Sequence, residues 1–352
     1  MTAPGLLARC ACGGEIAPGL LACPGCGRLT HSEDLSRLAA AAESAEREGD
    51  LTAALTSWRR AVALLPAKTV QRAAIEKRMG ALSAAIDGRG APPELAGSAT
   101  DANGARGKSK KKAGAAAGAG TIGLLLLKSK AVLVAVLANA KVLVLGLLKL
   151  PTLLSMLVFL RWSGGRGMGV GLGIVASIYV HEMGHVAALR RYCIDASAPM
   201  FVPGFGAFVR MGQYPTDAHE EARTGLAGPL WGLLAAGVAA AIALIAGSPV
   251  IRSVASFGAT INLFNLIPVW QLDGARGLRA LSRSERYGLA AIAGVVALGL
   301  HQWMPGIVAA FTAVRAFGKD AHPVGDRRMF ALFAGLVVAH GLVAALPGAM
   351  GP

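Results

Sequence analysis

A histidine pair with a glutamate beside it is the part of this chain best suited to chemistry. The residues are His181 and His185, and Glu182 follows the first histidine. Four residues make about one turn of an α-helix, so both imidazoles would project from one face and could bind the same metal ion, preferably zinc. Glu182 could then act as general base toward a water molecule at that ion. The pattern predicts metal-dependent hydrolysis; the alternative is a histidine pair satisfied by neighbouring helices.

A third ligand is needed, because a catalytic zinc usually takes three protein ligands and leaves one position to water. Asp273 is the best candidate, since Pro268 breaks the helix before it and a carboxylate at membrane depth is costly without a cation. The alternative is a helix-end carboxylate paired with Arg276. Glu220 and Glu221 are rivals, but we expect them to be solvated in a polar loop.

The elements that would position these residues are predicted to be membrane helices. Hydrophobic residues make up 54% of the 352 residues and aromatic residues only 5%, which favours a membrane protein packed through small side chains. The formal charge of +15 could indicate nucleic acid, yet much of it flanks apolar spans. We therefore interpret these positive charges as marking the cytoplasmic ends of membrane spans and attracting anionic lipid, and we expect no nucleic-acid partner.

The histidine motif lies in a predicted span over 168–189, and Arg190 and Arg191 behind it indicate a cytoplasmic end. A second span is predicted over 225–247, opened by residues 226–229. A third, over about 253–272, ends at Asp273, and four arginines follow that place this carboxylate at the depth of the histidines: Arg276, Arg279, Arg283 and Arg286.

Further apolar segments complete the predicted bundle. They cover 288–303, 305–317 and 329–347, and the middle one is short for a crossing. Residues 121–162 are apolar but interrupted by lysines, which suits an interfacial start to about 140 and then a crossing kinked at Pro151.

Four cysteines near the N-terminus predict a zinc ribbon: Cys10, Cys12, Cys23 and Cys26. Two close pairs of thiolates can form a tetrahedral structural site, although the first pair is C-x-C. The alternative is a degenerate ribbon without metal. His31 could substitute as a ligand, but we expect it to open the next helix. Cysteines of this kind imply a reducing compartment, and we expect no signal peptide.

Residues 35–66 resemble one tetratricopeptide repeat, with a turn at Gly49 and Asp50 and with Pro66 after the second helix. A third helix over Val70–Ile86 would cover its exposed side. We interpret this as a capped helical module that could dock a protein partner. Residues 88–120 predict a flexible linker, whose lysine cluster at 108–112 favours anionic lipid over nucleic acid.

The predicted fold class is mostly α: a polytopic transmembrane helical bundle with a small zinc-ribbon-like and helical soluble region in front. The expected domains are a ribbon at 1–30, a tetratricopeptide-like module at 31–87, a basic linker at 88–120, and a transmembrane domain at 121–352 that carries the histidine motif, with its core at 168–286.

The paired H-E-x-x-H and N-x-x-P-x-x-x-L-D-G motifs, each in an apolar context, resemble the site-2 protease family of intramembrane zinc metalloproteases. The resemblance covers about 168–286, and Ala227-Gly228-Pro229 also matches the family pattern. The chain departs from that pattern at Gly232, where many members have Asn, and at Leu266, where many have Pro. A PDZ-like domain is not apparent, and the ribbon and helical module occupy the soluble part.

The resemblance implies a zinc endopeptidase that cuts a transmembrane segment of another protein, with a catalytic zinc on His181, His185 and Asp273 and with Glu182 as general base. Asn265, or Asn262 one turn earlier, could stabilise the oxyanion; the alternative is a bond between helices.

The resemblance also suggests that the irregular segment Pro199–Tyr214 offers a sheet edge at Gly204–Val209 to an unwound substrate. The alternative is an ordinary interfacial loop anchored by phenylalanines. We expect a multi-pass cell-membrane protein with a cytoplasmic N-terminus. A catalytically idle scaffold and a zinc transporter are the competing functions.

Overall fold

The computed structural model describes residues 8–88, 168–202 and 206–346, and within them the chain is mostly helical. These residues divide into two compact units. The first unit comprises the residues up to 88 together with Leu189–Asp195 and Gln213–Glu220; the second holds the other described residues. The predicted linker at 88–120 and the lysine-interrupted helices at 121–162 lie outside the described residues, except for Gly88.

The first unit begins with a small antiparallel hairpin of β1 (Ala8–Arg9) and β2 (Glu15–Ile16). Three helices follow: α1 (Ser32–Glu48), α2 (Leu51–Ala63) and α3 (Val70–Ile86). Gly49 adopts a φ of 78° and ends α1, while the Asp50 carboxylate accepts a hydrogen bond from Ala53 N and caps α2.

The three helices share a core built from small and medium-sized side chains. Trp58 lies at its centre, and its indole N–H donates to Glu46 Oε1 at 2.7 Å. Leu55 and Leu82 are fully buried against it. The predicted two-helix repeat with a covering third helix is therefore what the chain forms, and α3 has the predicted bounds.

Most of α4 (Met168–Arg191) belongs to the second unit, and this helix matches the predicted motif span to within two residues. An antiparallel hairpin follows, with β3 (Met200–Val202) paired to β4 (Gly206–Phe208). The remaining helices are α5 (Ala218–Ala246), α6 (Pro249–Asn265), α7 (Asp273–Gly277), α8 (Arg283–Leu300), α9 (Trp303–Ala316) and α10 (Arg327–Ala344).

Two predicted boundaries are wrong. Helix α5 begins at Ala218 rather than at 225, so Pro229 lies inside a helix instead of opening one. A proline there removes one backbone hydrogen bond, which neighbouring helices can tolerate in a packed bundle. Helix α6 ends at Asn265, and residues 266–272 form a turn rather than the end of a span.

Glycines let the helices of the second unit approach closely. A Cβ on Gly173 of α4 would lie 2.4 Å from Val254 Cγ2 of α6, and one on Gly184 would lie 2.4 Å from the Ala227 carbonyl oxygen of α5. Helix α4 therefore packs closely against a valine side chain of α6 and against the backbone of α5. A second core joins α5 to α10 around Leu226, Leu263 and Phe333.

Three described helices are long and apolar enough to cross a membrane: Gly169–Arg191, Ala218–Ala246 and Arg327–Ala344. The predicted fold class, a mostly α membrane protein with a small N-terminal region, is confirmed. Helix α9 has only 14 residues, which agrees with the expectation that this segment is short.

Candidate metal centre

The histidine pair lies inside the bundle on α4. His181 is 3% exposed and His185 is 7% exposed, and their Nε2 atoms are 3.2 Å apart. The ring planes stand at 74° to each other, with centroids separated by 4.9 Å. One helical turn thus brings two ring nitrogens to the same point, as the spacing predicts.

Asp273 meets these nitrogens from the first residue of α7. Its Oδ2 lies 3.0 Å from His181 Nε2 and its Oδ1 lies 3.3 Å from His185 Nε2. The turn after α6 makes this approach possible, because a Cβ on Gly274 would lie 2.0 Å from the Leu266 carbonyl oxygen. Only glycine lets the chain fold back so tightly behind the carboxylate.

Hydrogen bonds on the far side of each ring fix its orientation. His181 Nδ1 lies 2.7 Å from Asn262 Oδ1 of α6, and His185 Nδ1 lies 2.8 Å from the Thr224 carbonyl oxygen of α5. Asn262 Nδ2 donates to the Gly258 carbonyl oxygen at 2.7 Å, which leaves its oxygen facing the histidine. Each Nδ1 can therefore donate its proton to one of these oxygens, which leaves each Nε2 able to offer a lone pair to a metal ion.

The space beside the two Nε2 atoms is kept open by Gly228 of α5. A Cβ there would lie 2.2 Å from His185 Nε2 and 2.7 Å from His181 Nε2. Two imidazoles and a carboxylate, with ligand atoms within 4.8 Å of one another, form a donor set that suits zinc. The residues present therefore fit a metal ion.

Glu182 is buried next to the histidines, at 7% exposed. The described residues provide no hydrogen-bond donor to its carboxylate, which leaves the group available for proton transfer. Asn265, expected as an oxyanion donor, lies at the partly buried end of α6. Asn262 instead bonds His181, so the alternative of a bond between helices describes it correctly.

The rival carboxylates lie elsewhere. The expectation that Glu220 is solvated in a loop is wrong, because it belongs to the first turn of α5 and is fully buried. Glu221 pairs with Arg279 at 3.2 Å. Arg276, the alternative partner of Asp273, donates to Thr224 Oγ1 at 3.1 Å. Asp273 is therefore the acidic residue that the described part of the chain brings to the histidines.

A second cluster of donors is formed by the four N-terminal cysteines. Cys10 Sγ lies 3.5 Å from Cys26 Sγ, and Cys12 Sγ lies 3.6 Å from Cys23 Sγ. The Sγ atoms all fall within 4.8 Å, so the C-x-C spacing does not prevent Cys10 from joining the set. His31 lies outside this set and precedes α1, as expected.

The electrostatics of the cysteine cluster act in opposite directions on Cys23 and Cys12. Backbone N–H groups of Cys26 and Gly25 lower the pKa of Cys23 to about 6. The Gly14 amide acts in the same direction on Cys12, but the neighbouring thiols raise the pKa of Cys12 to about 11. Four crowded thiols that cannot all ionise alone are the usual setting of a structural metal.

Part of the chain matches a known peptidase family. Residues 170–256 match the model of Peptidase family M50, the site-2 protease family, so the resemblance seen in the motifs is confirmed. This stretch contains the histidine motif and Gly228, and it ends before Asp273.

Two curated relatives have names that describe a zinc metalloprotease. The chain is 29% identical over 120 residues to zinc metalloprotease MJ0392 of Methanocaldococcus jannaschii. The aligned region covers 33% of this chain and 34% of the relative. The chain is 32% identical over 161 residues to Rip3 of Mycobacterium tuberculosis, named as a putative zinc metalloprotease, which is 40% of each chain. The chain thus spans two fifths or less of the length of these relatives.

Proposed function

We propose that this chain is an intramembrane zinc metalloendopeptidase of the site-2 type, which hydrolyses a peptide bond in or near a transmembrane segment of another protein. The observation that carries the proposal is the meeting of His181, His185 and Asp273 inside a helical bundle, with a buried glutamate beside the first histidine. The family match and the names of the relatives support a metalloprotease.

Each residue has a distinct task in this proposal. His181, His185 and Asp273 would hold a zinc ion, which when bound supplies a Lewis acid for hydrolysis. Glu182 would take the proton of the attacking water and return it to the leaving amine, since no group among the described residues donates a hydrogen bond to its carboxylate. Asn265 is proposed as a donor to the oxyanion, at the end of the helix that also carries Asn262.

The β3–β4 hairpin is the proposed place where substrate is held in extended form. Its register pairs Met200 with Phe208 and Val202 with Gly206, and a further bridge joins Ala196 to Met211. A helical substrate has its carbonyls already bonded, so it must unwind before cleavage. An extended stretch could add to an edge of this sheet through backbone hydrogen bonds.

The setting of the enzyme is also proposed. The cysteine cluster would hold one structural zinc, in addition to the catalytic ion. The membrane helices would form a multi-pass protein of the cell membrane with its N-terminus in the cytoplasm, since Arg190 and Arg191 end α4. The helical module is a proposed docking surface for a protein partner.

A glutamate-to-glutamine pair of variants tests the activity. We expect purified Glu182→Gln in lipid vesicles to bind zinc as wild type does but to cleave single-span substrates roughly 100 to 10,000 times more slowly, as for loss of a general base. Glu221→Gln is the matched control, because Glu221 pairs with Arg279 outside the metal centre.

The comparison is decisive only with the fold retained, so circular dichroism and zinc content accompany each measurement. Equal cleavage by wild type and Glu182→Gln would contradict the enzyme hypothesis. Zinc binding without cleavage by either, across a panel of single-span substrates, would favour the catalytically idle scaffold instead.

A further inference from the structure

An arginine and a glutamate that are far apart in sequence form a buried ion pair in the first unit. Arg59 of α2 is 2% exposed, and Glu220 of α5 is 0% exposed. Arg59 Nη2 lies 3.0 Å from Glu220 Oε1 and 2.9 Å from Oε2, so one nitrogen bridges both carboxylate oxygens. Fully buried charges of this kind are rare unless each is paired and fully hydrogen-bonded.

The remaining polar atoms of this pair are also engaged. Arg59 Nε donates to the Tyr192 carbonyl oxygen at 2.5 Å. Glu220 accepts from the Thr216 backbone N–H at 2.8 Å, from Thr216 Oγ1 at 3.1 Å, and from the Ser83 hydroxyl. We call these five residues the Arg59 cluster. It ties α2 and α3 to the stretches 189–195 and 213–220.

A second group of contacts joins the same stretches near Asp87, which follows α3. The Tyr192 hydroxyl donates to Asp87 Oδ2 at 2.8 Å, and the Arg191 guanidinium donates to the Ile86 carbonyl oxygen at 2.9 Å. Gln213 Nε2 donates to the Arg59 carbonyl oxygen at 3.1 Å. The end of the motif helix is therefore bonded to the module at several independent points.

The backbone at this end of α4 is unusual. Cys193 adopts a φ of 55°, a left-handed conformation that normally favours glycine, and Ile194 N donates to the Leu189 carbonyl oxygen at 2.9 Å. A cysteine held there requires support from its surroundings. The Arg59 bond to the preceding carbonyl oxygen, that of Tyr192, supplies such support.

The energetics of the cluster indicate that it fixes the arrangement of these chain segments rather than adding to the stability of the fold. Burying two charges costs solvation that their attraction recovers only in part, so a buried ion pair is weak evidence for stability. The hydrogen bonds, by contrast, are directional and hold four chain segments in one arrangement. An apolar pair of similar volume would fill the space without fixing that arrangement.

Both segments held by the cluster continue directly into helices of the metal centre. Leu189 lies one turn after His185 in the uninterrupted helix α4, and Gly228 lies about two turns after Glu220 in α5. A packed helix transmits strain along its length, so a shift at the end of α4 is carried to its histidines. A shift at the start of α5 is carried to the Thr224 carbonyl oxygen and Gly228 beside those histidines.

We infer that the Arg59 cluster is a positioning device, through which the helical module sets the spacing of α4, which carries both histidines, and α5, whose Thr224 carbonyl oxygen and Gly228 lie against them. The inference rests on the proposed function for its consequence in catalysis, but not for its consequence in metal binding. A partner that displaces α2 or α3 would, by the same route, alter the activity.

Two variants of the full-length protein in lipid nanodiscs test this. Glu220→Gln keeps the shape of the side chain and removes its charge, and the double variant Arg59→Met/Glu220→Leu replaces the pair by apolar groups. Glu76→Gln is the matched control, since Glu76 forms a partly exposed pair with Arg72 in the same module, at 2.8 Å.

Three readouts separate positioning from stability. The first is hydrogen exchange of backbone amides at 189–195 in metal-free protein, and the second is Co²⁺ affinity, read at the absorption of the histidine–carboxylate site rather than of the thiolate site. The third is the division of the cleavage rate between kcat and KM. We expect both variants to exchange about tenfold faster, to bind Co²⁺ about tenfold more weakly and to lose kcat with KM unchanged.

We expect the double variant to keep a wild-type melting temperature despite these losses, and Glu76→Gln to match wild type throughout. Wild-type exchange and Co²⁺ affinity in both variants would overturn the inference. A loss of kcat that follows the fall in melting temperature from one variant to the next would also overturn it. If wild type cleaves nothing, the proposed function fails, while exchange and Co²⁺ affinity still decide the role of the cluster.

Discussion

Gly228 provides the sharpest test of how the metal centre is built. It lies in α5 against both metal-facing nitrogens, and a Cβ at this position would lie 2.2 Å from His185 Nε2, 2.6 Å from His185 Cε1 and 2.7 Å from His181 Nε2. The substitution Gly228→Ala adds one methyl group at this point. We expect it to weaken metal binding and activity together.

The magnitude follows from these distances. Ordinary van der Waals contact begins near 3.4 Å, so the methyl group overlaps the His185 ring by more than 1 Å. The ring cannot retreat freely, because its Nδ1 is bonded to the Thr224 carbonyl oxygen of the same helix α5. A displacement of about 1 Å in a reacting constellation can cost about 100-fold in rate, and disturbed ligand orientation costs roughly 10- to 100-fold in metal affinity, so each loss should be about 100-fold.

The matched control lies in the same helix. A methyl group added at Gly237 would have no heavy atom within 4 Å, so Gly237→Ala introduces no overlap. Alanine is favoured over glycine in a helix by about 1 kcal/mol, so neither variant should unfold α5 on propensity grounds. Zinc affinity by chelator competition, melting temperature and cleavage rate are measured for both variants.

Wild-type zinc affinity in a folded Gly228→Ala variant would refute this account of the centre. An equal loss of affinity in Gly237→Ala would refute it as well, because the effect would then belong to the helix rather than to the contact with the histidines.

Two further predictions concern the groups around the ligands. Asn262→Leu removes the acceptor for His181 Nδ1 and should weaken zinc binding at the histidines by roughly 10- to 100-fold, measured by chelator competition, whereas Asn262→Asp keeps an acceptor oxygen and should bind more nearly as wild type does. In the cysteine cluster, the amides of Cys26 and Gly25 lower the pKa of Cys23 to about 6, below its unfolded value. The thiolate therefore favours the folded, metal-bound ribbon at higher pH, and that contribution is lost as the pH falls through about 6. Zinc release from the ribbon, followed with a zinc-sensitive dye, should have its midpoint near or below that pH, and release that does not depend on pH would contradict this account.

The sequence predicted best those features that depend on local spacing. Helix α4 and the joint face of His181 and His185 follow from one turn of helix, and α3 has the predicted bounds. The meeting of Asp273 with the histidines was expected from the positions of arginines along the chain, and the structure brings those atoms to 3.0 and 3.3 Å. The motif and the charge pattern were sufficient for this prediction, because both can be recognised within short stretches of sequence.

The errors have a common cause, which is that they depend on partners distant in sequence. Residues 218–221 look like a polar loop because two of them are glutamates, yet they begin α5. The Glu220 carboxylate can be buried in the protein only because the Arg59 guanidinium, 161 residues earlier in the chain, pairs with it. Likewise, Pro229 is tolerated inside α5 where α10 packs, and His340 Nε2 lies 2.9 Å from the Pro229 carbonyl oxygen.

The departure from the family pattern at Gly232 becomes intelligible through Asn262. A Cβ on Gly232 would lie 2.1 Å from Asn262 Oδ1 and 2.4 Å from its Nδ2, so the amide of Asn262 fills the space beside that backbone. A side chain at 232 and the present orientation of Asn262 therefore exclude each other. Glycine stands where the resemblance led us to expect asparagine, and an amide from α6 lies at that point, where it bonds His181. The absence of asparagine at 232 is therefore no argument against a working metal centre, because the same glycine makes room for the group that orients the first ligand.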